Sequence, residues 1–418
     1  MGKSVAILHY AAPPTVGGVE STIYHHARGL AARGWRVRVV SGRGDVFDPA
    51  VESLAHPLFG STAPEVLRVK RELDQGEVSA QFDLLTDHIL RELRPALAGF
   101  EVVIAHNLPT FNKNLALTAA LARLHAEGGF RLLAWAHDLA WTNPQYLPEL
   151  YEGPPWDLLR RAWKDAIYVT VSEARRPEVA DLIGIERSAV RVITPGVDVA
   201  EFFDLTEITL RLARDLNWFD ADALLLLPAR ITRRKNIALA LRILAEARRA
   251  GRDYRLIVSG PPGPHNPLNP GYLGELLELR RALNLEEAAH FLYEYGMTDD
   301  SPLIPDDAMM ANLYHLADGL LFPPLSEGFG IPMLEAGLAR LPIFCADIPP
   351  LRGTAGADAQ YFDPLTSDPA EVAGNIVHTL EGSAPYRLRL RTRREFRWEA
   401  IIDRQIIPLL TTETPLEV

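Results

Sequence analysis

Arg230-Ile-Thr-Arg-Arg-Lys235 joins a short apolar run, Leu224 to Leu227, to a helical pattern opening near Asn236. Free backbone N–H groups at such a helix start favour anions, and an Arg and a Lys beside them add a planar fork and a point charge. A diphosphate fits that arrangement; a solvated basic loop is the alternative. Further on, Ser326-Glu327-Gly328-Phe329-Gly330-Ile331-Pro332-Met333-Leu334-Glu335 directly follows a second apolar run, Gly319 to Phe322. Gly328 and Gly330 permit close approach of the backbone to a ligand, and Pro332 suits a first helical turn with unpaired N–H groups. Glu327 and Glu335 can each accept from the neighbouring hydroxyls of a sugar or ribose ring. The alternative is an ordinary Gly-rich helix start, although the apolar residues around Glu335 call for a partner to its carboxylate.

Three further stretches are weaker. Val16-Gly17-Gly18-Val19-Glu20 follows the first apolar run and has the look of a phosphate-approach loop, but G-x-G-x-x-G is absent, so a generic tight turn with Glu20 as a first-turn acid is the alternative. His137-Asp138 and His106-Asn107 each follow an apolar run. A strand-end His stands on the lip of a crevice and an adjacent Asp can orient it, whereas a structural hydrogen-bonding role is the common alternative. Asp220-Ala221-Asp222 has a metal-holding form but precedes its strand, so a solvated turn is expected and no metal. Trp135, Trp141 and Trp398 can stack on sugars, with core packing the commoner use.

The elements that position these residues are an alternation of short apolar runs and longer amphipathic stretches. The runs Val5 to Leu8, Arg36 to Val40, Val102 to Ala105, Leu132 to Ala136, Tyr168 to Val171 and Val190 to Ile193 read as strands buried on both faces of a parallel sheet. Helical patterns such as Glu20 to Ala32, Phe82 to Leu97 and Asn114 to Ala126 lie between them, giving repeated βαβ units and an α/β, doubly wound fold. Pro195-Gly196-Val197-Asp198 breaks the rhythm, which restarts at Leu224 and continues through Arg255 to Val258, Ala289 to Leu292, Gly319 to Phe322 and Ile343 to Ala346. Two such domains in tandem are expected, with ligands outside the carboxyl ends of their strands.

Composition narrows the classes. The 418 residues are 48% hydrophobic and 23% charged, as in ordinary globular chains. A net charge of −11 opposes nucleic acid as a partner. The single cysteine, Cys345, rules out an internal disulfide and Cys-rich metal frameworks. No run reaches the ~18 apolar residues of a spanning helix and the N-terminus lacks a signal peptide's apolar stretch, so a cytoplasmic location is expected. Arg68-Val-Lys-Arg71 and Arg160-Arg161 are short basic groups that allow peripheral membrane contact, with solvated helix faces as the alternative.

Arg230 and Lys235 in R-x4-K order, Glu327 and Glu335 in E-x7-E order, Gly17-Gly18-Val19-Glu20, His137-Asp138, Val171-Ser172-Glu173 and Pro195-Gly196-Val197-Asp198 together resemble glycosyltransferase family 4 over nearly the whole chain. The resemblance implies a GT-B architecture of two doubly wound Rossmann-like domains facing across a cleft. Residues 1–198 would form the acceptor domain, 199–382 the donor domain, and 383–418 a helical segment packing back toward the first. It further implies retaining transfer of a hexose from a nucleoside diphosphate sugar, UDP-glucose first and GDP-mannose next, to a hydroxyl of a glycan, glycolipid or small glycoside, with no cofactor and no essential metal. On this resemblance Arg230 and Lys235 neutralise the leaving diphosphate, Glu327 holds the transferred sugar and His137 steadies it near the C6 hydroxyl. Glu335 takes the ribose hydroxyls, while Gly17, Gly18, Gly328, Phe329, Gly330, Ile331 and Leu334 complete the donor site. His106, Asn107 and Asp138 are expected on the acceptor side.

The chain departs from the family pattern at Tyr293-Glu294-Tyr295-Gly296, in the Pro-rich segment 260–266 and in the acidic loop 299–307, which leaves the donor base open. The other readings are a sugar-nucleotide epimerase of GT-B type and a catalytically silent sugar-nucleotide-binding module; a dinucleotide dehydrogenase is disfavoured by the missing G-x-G-x-x-G. The loops Ser41 to Thr62 and Pro109 to Asn114 show no decisive chemistry for the acceptor.

Overall fold

The computed structural model describes residues 3–263, 269–296 and 301–411. The expected features at residues 264–266 and at Asp299 and Asp300 lie outside them. The chain divides into two compact units, Met1–Gly196 with Phe396–Val418, and Val197–Glu395.

The first unit holds a seven-stranded, all-parallel sheet of β1 (Ser4–His9), β2 (Arg36–Ser41), β3 (Val51–Ala55), β4 (Val102–His106), β5 (Arg131–Ala136), β6 (Ile167–Thr170) and β7 (Arg191–Val192), in the order β3-β2-β1-β4-β5-β6-β7. Central β1 and β4 are buried at every residue, because helices cover both faces of a doubly wound sheet. The order reverses between β1 and β4, where such folds bind ligands outside the strands' carboxyl ends. Helix Gly18–Ala31 follows β1, and helix Leu115–Ala126 follows β4 with Asn114 as its cap.

The second unit repeats the plan in six parallel strands: β8 (Ala223–Leu227), β9 (Tyr254–Val258), β10 (Ala289–Phe291), β11 (Gly319–Phe322), β12 (Ile343–Ala346) and β13 (Gln360–Phe362), ordered β10-β9-β8-β11-β12-β13. Its reversal lies between β8 and β11, the two strands that precede the Arg230 to Lys235 loop and the Ser326 to Glu335 segment.

The segment after residue 382 does not behave as one piece. Helix Ala384–Glu395 clusters with the second unit because buried Arg393 reaches the fully buried Asp318 carboxylate at 2.8 Å and the Ala221 carbonyl at 2.9 Å. Arg394 pairs with Asp222 at 2.9 Å, so Asp220-Ala221-Asp222 is a docking point for this helix rather than the solvated turn expected. From Phe396 onward the chain belongs to the first unit. Its helical turns Trp398–Ile401, Ile402–Ile406 and Ile407–Thr411 stack Trp398 on His25, bring Asp403 to Arg33 at 2.7 Å and present the Leu410 carbonyl to Arg131 at 3.0 Å. Gly196 lies under Trp398, where a Cβ would stand 2.8 Å from the indole.

Candidate active site

In the second unit, the loop after β8 is clamped on both sides. Ile231 donates to the Pro261 carbonyl at 2.9 Å, and Gly260 comes so close that a Cβ there would stand 2.7 Å from the Arg230 nitrogen. Leu325 N–H donates to the Arg234 carbonyl at 2.7 Å, tying this loop to the one after β11. These contacts fix the cations of Arg230 to Lys235 in different directions. Arg233 turns to Glu275 and lies over the Tyr272 ring, whereas Arg234 approaches Glu327 at 3.5 Å. Buried Lys235 lies over the Phe322 ring and forms a short ion pair with Glu327. Arg230 is exposed and makes no ion pair among the described residues.

Glu327 is therefore the counter-ion of this cluster. Burial would raise its carboxyl, but the Lys235 ammonium, the Gly328 N–H at 3.1 Å and Arg234 outweigh burial and hold it below the usual carboxylate range. Arg230, Arg234 and Lys235 leave two positive charges over after Glu327 is counted, which suits a diphosphate. Gly330, at φ 95°, turns the chain in the left-handed region and caps helix Ile331–Leu338, with Pro332 in its first turn. The N–H groups of Phe329, Gly330 and Ile331 find no acceptor among the described residues, whereas that of Gly328 is taken by Glu327. Phe329, Ile331 and Leu334 are exposed apolar side chains around this helix start. Glu335 is exposed rather than enclosed by the apolar residues around it in sequence, and the Tyr314 hydroxyl donates to it at 2.5 Å. Burial, followed by that bond, pushes the Tyr314 hydroxyl's pKa upward.

The first unit gathers the remaining predicted residues at its own reversal. Asn107, in the left-handed region at φ 60°, accepts the His137 and Asp138 N–H groups at 2.8 and 3.0 Å and donates to the Asp138 carboxylate at 3.0 Å. This one side chain holds the His137-Asp138 turn. The His137 Nε2 meets the His106 Nδ1 at 2.8 Å. Burial, followed by His9, lowers His137 to about 3, so its imidazole is neutral at ordinary pH. His106 is fully buried and contacts His137, His26 and Trp135, so it does not stand on the acceptor side as expected; it is a support for His137. His9 donates from Nδ1 to the His106 carbonyl at 2.9 Å, leaving its Nε2 as an acceptor. Gly18 opens helix Gly18–Ala31 with free space where a Cβ would stand, and at Gly17 that place is filled by the Glu20 carboxylate. Trp135 and Trp398 are core residues.

Sequence reasoning missed Arg234, the Tyr314 partner of Glu335 and a cavity of about 210 Å³ in the first unit, lined by His9, Tyr10, Glu20, Arg43, Asn107 and Lys113 among others. Arg43 and Lys113 sit in the two loops that showed no decisive chemistry; their place in the loops that leave β2 and β4 was the available signal. In the basic groups considered for membrane contact, Lys70 bonds Asp74 and Glu149, and Arg160 and Arg161 both pair with Asp157, whereas Arg68 and Arg71 form no ion pair among the described residues. No helix among the described residues is long and apolar enough to cross a membrane.

Residues 16–201 match the family described as Glycosyltransferase Family 4, and residues 210–391 match Glycosyl transferases group 1. Mannosylglucosylglycerate synthase of Petrotoga mobilis is 21% identical over 66% of this chain and 66% of its own length. D-inositol 3-phosphate glycosyltransferase of Kineococcus radiotolerans is 30% identical over 44% of this chain and 40% of its own length. The chain thus spans about two thirds of the first relative and two fifths of the second. Among solved structures, sucrose-phosphate synthase from Thermosynechococcus elongatus aligns over 97% of this chain and 100% of its own at 16% identity and a TM-score of 0.37.

Proposed function

The chain belongs to glycosyltransferase family 4 and has the two-domain α/β GT-B architecture, and from that premise we propose that it moves a hexose from a nucleoside diphosphate sugar to a hydroxyl acceptor with retention of configuration. The observation that carries this reading is the Lys235–Glu327 pair beside unpaired Arg230 at the start of helix Ile331–Leu338. Preorganised positive charge at that place stabilises a diphosphate as it leaves. Glu327 uses one oxygen on Lys235 and the other on Gly328, and each retains a lone pair for a sugar hydroxyl. In the proposed step the bond from the anomeric carbon to the diphosphate oxygen breaks, the acceptor oxygen bonds that carbon on the same face, and the acceptor proton passes to the departing phosphate. His137, neutral, steadies the transferred sugar; Glu335 takes the ribose hydroxyls. The two positive charges left at the site supply the leaving-group stabilisation, so the proposal assigns no metal.

Glucose and mannose are the candidate hexoses. The name of the Petrotoga relative specifies a mannosyl product, which supports testing GDP-mannose beside UDP-glucose. Nucleoside diphosphate release from each donor, with a panel of hydroxyl acceptors, tests the reading, and NMR of the product's anomeric proton tests retention. Glu327→Ala and Lys235→Ala should abolish release while leaving the fold intact; wild-type rates in both overturn the assignment. An inverted anomer overturns retention, and conversion of the donor to an epimer without acceptor favours the epimerase reading.

A further inference from the structure

Helix Pro349–Ala355 follows β12 and carries none of the residues assigned to the donor site, yet it grips the Gly-rich segment Ser326 to Glu335 at two points about one turn apart. Leu351, fully buried, lies under Gly330 so closely that a Cβ there would stand 2.5 Å from its Cδ2. On the same face, three residues on, the Thr354 hydroxyl donates to the Phe329 carbonyl. A helical Thr ordinarily donates to the carbonyl four residues back, and that of Pro350 lies 3.1 Å away, but the Phe329 carbonyl is the nearer acceptor. The helix is itself anchored. Arg352 bonds Asp347 through two nitrogens at 2.7 and 2.6 Å and lies 4.0 Å from the Tyr361 ring centroid, and the Tyr361 hydroxyl donates to the Gly356 carbonyl at 2.8 Å.

A peptide unit is planar and trans, so the Phe329 carbonyl and the Gly330 N–H point in opposite directions. Holding the carbonyl on helix Pro349–Ala355 therefore turns that N–H away from the helix. Gly330 is a buried residue, and its N–H finds no acceptor among the described residues. Such a group calls for an acceptor from outside the chain. It stands at the start of helix Ile331–Leu338, where the backbone favours an anion, in the segment whose Glu327 pairs with Lys235 and Arg234.

We propose that Thr354 is a positioning residue for the donor: by holding the Phe329 carbonyl, its hydroxyl aims the Gly330 N–H at a phosphate oxygen of the bound nucleotide. This rests on the donor reading of the Arg230, Lys235 and Glu327 site. Thr354 itself touches no substrate; it acts through one peptide unit, which Leu351 supports from below.

The test is titration calorimetry of the full chain with UDP, GDP, UDP-glucose and GDP-mannose, on wild type, Thr354→Val and Thr354→Ser. Val keeps the branched shape and removes only the hydroxyl, whereas Ser keeps the hydroxyl and loses the methyl. For the nucleoside diphosphate that the wild type binds, Thr354→Val should lose about three- to tenfold in affinity and Thr354→Ser should stay within about twofold of wild type. The ligand-free Tm of each variant checks the fold. Unchanged affinity in Thr354→Val, or an equal loss in Thr354→Ser, overturns the proposal while the donor reading stands. A loss with the sugar conjugates that is absent with UDP and GDP overturns the phosphate as the acceptor. No nucleotide binding by the wild type overturns the donor reading, and this proposal with it.

Discussion

Lowering the pH should unfold the first unit through its histidines. His9, His26, His106 and His137 form one cluster, with ring centroids 6.5 Å apart for His9–His106, 5.6 Å for His26–His106 and 5.1 Å for His106–His137. Burial is the main reason all four are hard to protonate. It lowers His26 and His137 to about 3 and carries His9 and His106 below their ordinary value of 6.5, with like neighbours adding to it for His26, His106 and His137. For His9 the His106 carbonyl, Glu20 and Asp138 pull the other way without overcoming burial. The unfolded chain takes these protons near pH 6.5, so the stability they confer is full above that value and is lost as pH falls toward the folded values. Each proton is worth about 1.4 kcal/mol per pH unit, so four give up to about 5 kcal/mol per unit near pH 5, against a typical domain stability of ~5–15 kcal/mol. Urea unfolding followed by tryptophan fluorescence at a series of pH values gives this slope directly. His26 has neither ring nitrogen bonded and touches Trp135 and Trp398, so His26→Phe should remove about one proton from the slope and raise stability at pH 5.5. A slope of one proton or fewer between pH 6.5 and 5 refutes the reasoning.

Three further outcomes are expected. Lys235→Met keeps the stem over Phe322 but removes the charge, so donor hydrolysis, with water as acceptor, should fall by about 10²- to 10³-fold while circular dichroism is unchanged; a fall under about threefold contradicts the role given to it. Asp318→Asn removes the buried carboxylate charge that Arg393 and Arg389 share and should cost about 3–5 kcal/mol, read as a lower midpoint for the second unit in urea; an unchanged midpoint denies that Asp318 anchors helix Ala384–Glu395. The His106 Nε2 is buried without a partner, and an orphaned lone pair is less costly than an orphaned N–H, so Nδ1 of His106 carries the proton and donates to His137. Nitrogen-15 NMR should therefore find His137 protonated on Nδ1, retained in His106→Asn and lost in His106→Leu; a proton on its Nε2 in the wild type contradicts this.

The central strands were legible because a buried parallel strand is a continuous apolar run: the expected Val5 to Leu8, Val102 to Ala105 and Gly319 to Phe322 lie within one residue of β1, β4 and β11. The edge strands β3 and β13 were not, because Val-Glu-Ser-Leu-Ala and Gln-Tyr-Phe are half-exposed and short, and their pairing comes from the sheet rather than from the pattern. The loop after β8 and the Gly-rich segment after β11 were found from charge and glycine spacing, since their strands place them at one reversal. What spacing cannot show is which cations already have partners. Arg233 and Arg234 read alike in sequence, yet one faces Glu275 and the other Glu327. His106 was misplaced for the same reason: a strand-end position gives the level along the strand but not the side on which the imidazole is buried. The final helix was visible, but the docking of helix Ala384–Glu395 on the second unit depends on ion pairs to Asp318 and Asp222 that lie far away in sequence.

Thermal unfolding in the presence of UDP, GDP, ADP and their glucose and mannose conjugates, in EDTA and in magnesium, tests the donor site most directly. A ligand at about 100 times its Kd adds roughly 2.7 kcal/mol to the unit that binds it, or about 5–11 °C for a unit of this size. The account predicts a rise of that order in the second unit's transition with nucleotides of one base, present in EDTA and diminished in Arg230→Ala. No shift with any nucleotide, or the same shift when Arg230 is gone, contradicts the assignment of Arg230, Lys235 and Glu327 to a nucleoside diphosphate sugar.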